Sequence, residues 1–89
     1  MSVTIEVPSI FARYTGNQTD MKAEGKTVGE CLQDMARQYP QLGEILDNNG
    51  DLVSTFDIFV NGEDTYPRTM SYPVKDGDKL NIIMLIHGG

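Results

Sequence analysis

Few side chains in this sequence are of the types that perform chemistry by themselves. The one cysteine and one histidine, Cys31 and His87, lie far apart in the chain and fall short of the set of about four ligands that a zinc ion usually takes. Neighbouring carboxylates occur in "NGED" (61–64) and "KDGDK" (75–79), where we interpret them as turn formers and not as an acid/base pair. No nucleophile is accompanied by a base and an orienting group. The sequence therefore predicts neither a metal site nor catalytic side chains.

The group that could react is instead the end of the chain, "NIIMLIHGG". Gly88 and Gly89 carry no side chains, so the backbone there can approach another molecule closely. The carboxylate of Gly89 is ionised at neutral pH and is a poor electrophile. We expect residues 87–89 to form a flexible tail through which a pocket of another protein reaches the last carbonyl carbon.

Composition limits the partners of such a tail. The 89 residues suffice for one small domain, and the net charge of −6 disfavours nucleic acid and anionic membrane surfaces. A basic protein partner would suit this charge, although acidic residues also simply keep small proteins in solution. No apolar run approaches the ~20 residues that span a bilayer. There is no signal-peptide pattern and no possible internal disulfide, so we expect a cytoplasmic protein.

The periodicity of apolar residues predicts strands at both ends of the chain and one helix between them. Apolar residues alternate with polar ones in segments 3–7, 19–24 and 56–60, and segment 80–86 is apolar on both faces apart from Asn81. Segment 14–18 is typical of a turn, and segment 65–74 is irregular, with at most a short edge strand.

The predicted helix begins after Thr27. Glu30 follows this residue at the spacing of a capping box, and Pro40 ends the pattern. Apolar residues recur on one helical face, which includes Cys31, so we interpret that thiol as a small buried hydrophobic group. The apolar face of the helix consists of Val28, Cys31, Leu32, Met35, Ala36 and Tyr39. After the helix, a further short turn packed on the core is indicated by Leu42, Ile45 and Leu46.

This order of elements predicts the α+β fold class and the ubiquitin-like β-grasp. We expect a mixed sheet of four to five strands with the first and last strands parallel and central, and one main helix packed on one face. Residues 1–86 would form the β-grasp domain and residues 87–89 the flexible Gly-Gly tail.

The strand register also predicts an interface. If Ile58 and Val60 face the helix, Phe59 faces the other way, and Ile83 and Leu85 do so on the last strand. An apolar patch of Phe59, Ile83 and Leu85 on the open sheet face would bind a partner. The alternative is that the loop from residue 47 to residue 54 covers it.

The sequence contains three motifs in this order: "FVNGED", "VKDGDKL" and the final "HGG". With these motifs, the sequence resembles the ThiS/MoaD family of sulfur-carrier proteins over essentially its full length. The opening "VTIEVPSIFARYTGNQ" looks most like carriers that serve the biosynthesis of cysteine or related amino acids. His87 departs from the family pattern, in which a small residue often precedes the glycines.

The resemblance implies a role for the tail. An E1-like enzyme would use ATP to adenylate the carboxylate of Gly89, and a sulfur donor would convert it into a thiocarboxylate. His87 and Gly88 would enter the partner's channel with it. The acceptor would be a cysteine-synthase-like enzyme, or a molybdopterin or thiazole synthase. The chain would be a carrier with no bound cofactor, not an enzyme. The alternatives are a ubiquitin-like modifier, a molybdopterin synthase small subunit and a plain interaction domain.

Overall fold

The computed structural model describes residues 2–85, which form one five-stranded mixed sheet. The strands are ordered β2-β1-β5-β3-β4 across the sheet. β1 and β5 are parallel and central, and the other neighbouring pairs are antiparallel. The predicted parallel pair and the predicted sheet are therefore confirmed; the strands are β1 (Ser2–Glu6), β2 (Asp20–Glu24), β3 (Phe56–Val60), β4 (Glu63–Asp64) and β5 (Lys79–Met84).

Helix α1 (Val28–Gln38) covers one face of this sheet. Thr27 caps it, because its Oγ1 accepts a hydrogen bond from the Glu30 N–H at 3.2 Å. The Glu30 side chain reaches back as predicted, but it accepts from the N–H of Lys26, at 2.8 Å, instead of that of Thr27. The apolar face of α1 packs on buried residues of the central strands, such as Ile5 and Leu80, and so closes the core.

Short 3-10 helices fill the connections. The segment Pro40–Ile45 buries Leu42 and Ile45, as the sequence predicted. The segment Ser9–Tyr14 was not predicted, because only Phe11 is buried in it and one buried residue gives no periodicity. It precedes the predicted turn, in which Gly16 and Asn17 both have positive φ angles.

The edge of the sheet differs from the prediction. The short edge strand is Glu63–Asp64 and not part of segment 65–74, because the turn after β3 consists of Asn61 and Gly62 alone, both with positive φ. Segment 65–74 instead contains a third 3-10 helix, Thr69–Ser71. Within residues 2–85, no helix has the length and apolar character needed to cross a membrane. The predicted domain boundary after residue 86 lies outside the described residues.

Candidate functional site

The sheet ends a short distance in sequence before the predicted tail of residues 87–89. β5 ends at Met84, and the N–H of the next residue, Leu85, donates a hydrogen bond to the carbonyl oxygen of Thr55 at 2.7 Å. Leu85 is thus held beside the residue that precedes β3. The predicted tail residues His87, Gly88 and Gly89 lie outside the described residues, and their roles stay predictions.

The three residues of the predicted apolar patch lie on the sheet face that α1 does not cover, which we call the open face. Ile83 is opposite Asp57 in the β3–β5 register, and Phe59 is opposite Asn81. Ile83 and Leu85 are 39% and 41% exposed, so the 47–54 loop does not bury them, whereas Phe59 is half-buried. The partner-binding role of Phe59, Ile83 and Leu85 remains a prediction.

A groove opens beside this patch, at the edge of the sheet. β4 pairs only with Phe59 and Val60, so the first part of β3 has no neighbouring strand on that side. The groove has a volume of about 710 Å³ and lies between the 51–54 loop and the 66–71 segment. Leu85 also lines it. We call it the edge groove; Leu85, at its rim, precedes the predicted tail by two residues in the sequence.

Three carboxyl groups line the edge groove, those of Asp51, Asp57 and Asp64, and the last two lie on the paired strands β3 and β4. Asp57 Oδ1 accepts a hydrogen bond from the Ile58 N–H at 2.8 Å, and Asp64 Oδ1 accepts one from the Tyr66 N–H at 3.0 Å. Desolvation, followed by a hydrogen bond that the protonated Asp57 carboxyl group donates to Asp64 and by the negative charge of Asp64, raises the pKa of Asp57. The raised pKa favours the protonated form of Asp57 beside this second carboxyl group. Sequence analysis missed this pair, because Asp57 and Asp64 are brought together only by the pairing of β3 with β4.

A second polar cluster holds β5 in register with β3. Asn61 Nδ2 donates to Asp78 Oδ1 at 2.9 Å, and Asn61 Oδ1 accepts from the Lys79 N–H at 2.9 Å. Asp78 Oδ2 accepts from the Lys75 N–H at 2.9 Å. The hydrogen bonds from Asn61 and Lys75 lower the pKa of Asp78, and the bond from Asn61 has the larger effect. The two predicted turns are thus joined to each other, and this fixes the start of the strand that carries Ile83 and Leu85.

The only thiol of the chain is inert in this structure. Cys31 is fully buried on α1, and burial, together with the negative charges of Glu30 and Asp34, raises its pKa to about 11. It is therefore protonated at neutral pH and does not act as a nucleophile. Among the described residues, no group of three or more His, Cys, Asp or Glu side chains is arranged to hold a metal ion.

Comparison with known proteins decides the family. The sequence model of the ThiS family matches residues 5–89. The chain belongs to the ThiS family. This confirms the family predicted from the motifs, and the match extends through the terminal glycines.

Two similar proteins are informative: one is a sulfur carrier protein, and the other is part of a solved complex. The chain is 31% identical, over the full length of both, to the sulfur carrier protein CysO of Mycobacterium tuberculosis H37Rv. It is also similar to a chain in the crystal structure of the BexX/CysO complex of Amycolatopsis orientalis, with 31% identity, a TM-score of 0.86 and coverage of 98% of this chain and 99% of that one.

Further structural likeness confirms the fold. The crystal structure of Mycobacterium tuberculosis CysO has a TM-score of 0.84 at 30% identity, covering 94% of this chain and 99% of that one. SAMP1 of Haloferax volcanii covers 100% of both chains with a TM-score of 0.82, but at 20% identity it shows the β-grasp fold alone.

Proposed function

We propose that this protein is a sulfur carrier whose reactive group is the carboxylate of Gly89. The observation that carries the proposal is the match of the ThiS family model through residue 89. The full-length similarity to the sulfur carrier CysO supports it and favours a role in the biosynthesis of cysteine or a related amino acid.

The chemistry follows from the weakness of a carboxylate as an electrophile. An E1-like enzyme directs an oxygen of the Gly89 carboxylate to the α-phosphorus of ATP, and pyrophosphate leaves. Hydrosulfide then attacks the carbonyl carbon of the acyl-adenylate, and AMP leaves. The product is a thiocarboxylate, whose sulfur is nucleophilic at neutral pH and is passed to an acceptor enzyme of the cysteine-synthase-like class.

The chain itself acts as a cosubstrate and not as a catalyst in this proposal. The described residues support this, because their one thiol is buried and protonated. The activating enzyme supplies the ATP site, and the carrier supplies the carbonyl carbon. Docking to that enzyme and to the acceptor uses the patch of Phe59, Ile83 and Leu85, while His87 and Gly88 enter the channel. Both steps take place in the cytoplasm.

Intact-protein mass spectrometry tests the proposal. The full chain is incubated with an E1-like enzyme from the same organism, ATP and sulfide. We expect the mass to rise by the replacement of one oxygen by one sulfur, and we expect no change for a variant that lacks Gly89. Covalent adducts with other proteins would instead support a ubiquitin-like modifier. Conversion of the variant without Gly89 would show that the sulfur is carried elsewhere.

A further inference from the structure

The edge groove combines apolar walls with a position beside Leu85, the last residue that the structure describes. Leu52 and Met70 line it from opposite sides, and Leu85 lies at the end of β5. Tyr66 is 76% exposed at the same groove. An aromatic ring of this size, left so exposed beside exposed aliphatic side chains, is typical of surfaces that bind another protein.

The charged groups that line the edge groove are predominantly acidic. Asp57 projects from β3, Asp64 from β4 and Asp51 from the loop, and Arg68 is the one cationic side chain among the described lining residues. Backbone N–H groups already fix one oxygen of Asp57 and one of Asp64. The carboxyl pair is therefore held in place before any partner arrives, which reduces the entropy lost when it binds.

We propose that the edge groove docks a protruding segment of the enzyme that activates Gly89, and that an Arg or Lys of that segment binds between the carboxyl groups of Asp57 and Asp64. This proposal rests on the proposed function, which supplies the partner. An apolar side chain of the same segment packs beside Leu85 and Tyr66. The occupant is identified by charge complementarity, because a cation relieves the repulsion between two ionised carboxylates. Leu85 lines the groove and precedes Gly89 by only four residues, which places the contact on the partner that receives Gly89.

The affinity of this docking step should depend on pH because of the carboxyl groups of Asp57 and Asp64. The pKa of Asp57 is raised in the free carrier by desolvation and by the Asp64 carboxyl group. A bound cation favours the ionised form, so docking releases a proton where Asp57 of the free carrier is protonated. Affinity then increases as the pH rises through the raised pKa of Asp57. Asp51 and Arg68 are the other charged groups that line the groove, and neither is among the causes that shift this pKa.

Single substitutions that remove one charge test the proposal. We expect Asp57→Asn and Asp64→Asn each to weaken binding of the activating enzyme about tenfold at ionic strength near 0.15 M, as for the loss of one partner of a desolvated charge pair. The matched control is Glu63→Gln, which removes the same charge from the residue next to Asp64; Glu63 is exposed and does not line the groove. The side-chain amide introduced by Asp57→Asn retains an oxygen that accepts from the Ile58 N–H, so the fold persists.

The kinetic readout separates docking from chemistry. For Asp57→Asn we expect KM for the carrier to rise with kcat unchanged, and calorimetry in buffers of different ionisation enthalpy to show that proton release is lost. Tyr66→Ala, a change at an exposed ring, should also raise KM with no change in the free energy of unfolding. If Asp57→Asn, Asp64→Asn and Tyr66→Ala all match Glu63→Gln, the docking proposal is wrong. If the unmodified carrier is never converted into a thiocarboxylate, it is the proposed function that fails.

Discussion

At the scale of the residue, Asp78 joins the turn after β3 to the turn before β5. It is only 7% exposed, and its two oxygens accept hydrogen bonds from Asn61 and from the N–H of Lys75. We expect Asp78→Ala to lower the free energy of unfolding by about 1–3 kcal/mol, because both donors lose their partner. Urea denaturation measures this. The control is Glu44→Ala, at an exposed carboxylate, for which a change within about 0.5 kcal/mol is expected.

The same variant has a defined pH dependence. Hydrogen bonding lowers the pKa of Asp78 from its usual 3.8, so the ionised form is favoured in the folded protein. Its contribution to stability is complete above pH 3.8 and is lost as the pH falls through the lowered value. The difference in unfolding free energy between the original protein and Asp78→Ala should therefore narrow in this acidic range. A difference that stayed constant there would show that the charge of Asp78 does not contribute.

At the scale of the element, the contact between α1 and the third 3-10 helix supports one wall of the edge groove. Gly29 on α1 is buried, and a Cβ atom there would lie 2.8 Å from the carbonyl oxygen of Met70. Gly-to-Ala changes in open helix positions stabilise by about 0.5–1 kcal/mol. Here the clash is with backbone, so we expect Gly29→Ala to destabilise the fold by about 1–3 kcal/mol.

Gly29→Ala should also weaken binding of the activating enzyme, because Met70 is one of the residues that line the edge groove. Thermal or urea unfolding gives the stability, and binding of the activating enzyme reports on the groove. Gly43→Ala is the matched control, since a Cβ there would meet only the Ala36 Cβ, at 3.8 Å. Equal effects of the two substitutions would show that the close approach at Gly29 has no special role.

Elements with a repeating pattern were predictable from the sequence, and the edge groove was not. Strands β1, β2 and β3 and helix α1 each carry an apolar period that burial enforces, and β5 was evident as a short, nearly continuous apolar run. The capping residues of α1 were evident too, because Thr27 and Glu30 interact locally. The groove depends on the 51–54 loop, β4 and the 66–71 segment coming together, and none of these has a period. One signal was present: Asp57 interrupts the otherwise apolar "FDIFV" of β3.

At the scale of the whole molecule, the net charge is −6. The distance over which these charges attract a partner depends on the ionic strength. The Debye length is about 30 Å at 0.01 M ionic strength and about 8 Å at 0.15 M. The radius of gyration is 12.0 Å, which lies between the two. At low salt all the charges of the carrier therefore contribute to the attraction of a basic partner, and at physiological salt only those near the contact do.

This difference separates long-range attraction from the specific contact at Asp57 and Asp64. At about 0.01 M ionic strength, we expect Asp57→Asn and Glu63→Gln to lower the association rate constant for the activating enzyme by similar factors, since each removes one charge. At about 0.15 M, Glu63→Gln should match the original protein, whereas Asp57→Asn should still bind weakly because its complex dissociates faster. Stopped-flow measurements at both salt concentrations give the two rate constants. An association rate constant of the original protein that does not change with salt would show that the partner's surface is not basic, and the acidic character of the edge groove would then have no role in recognition.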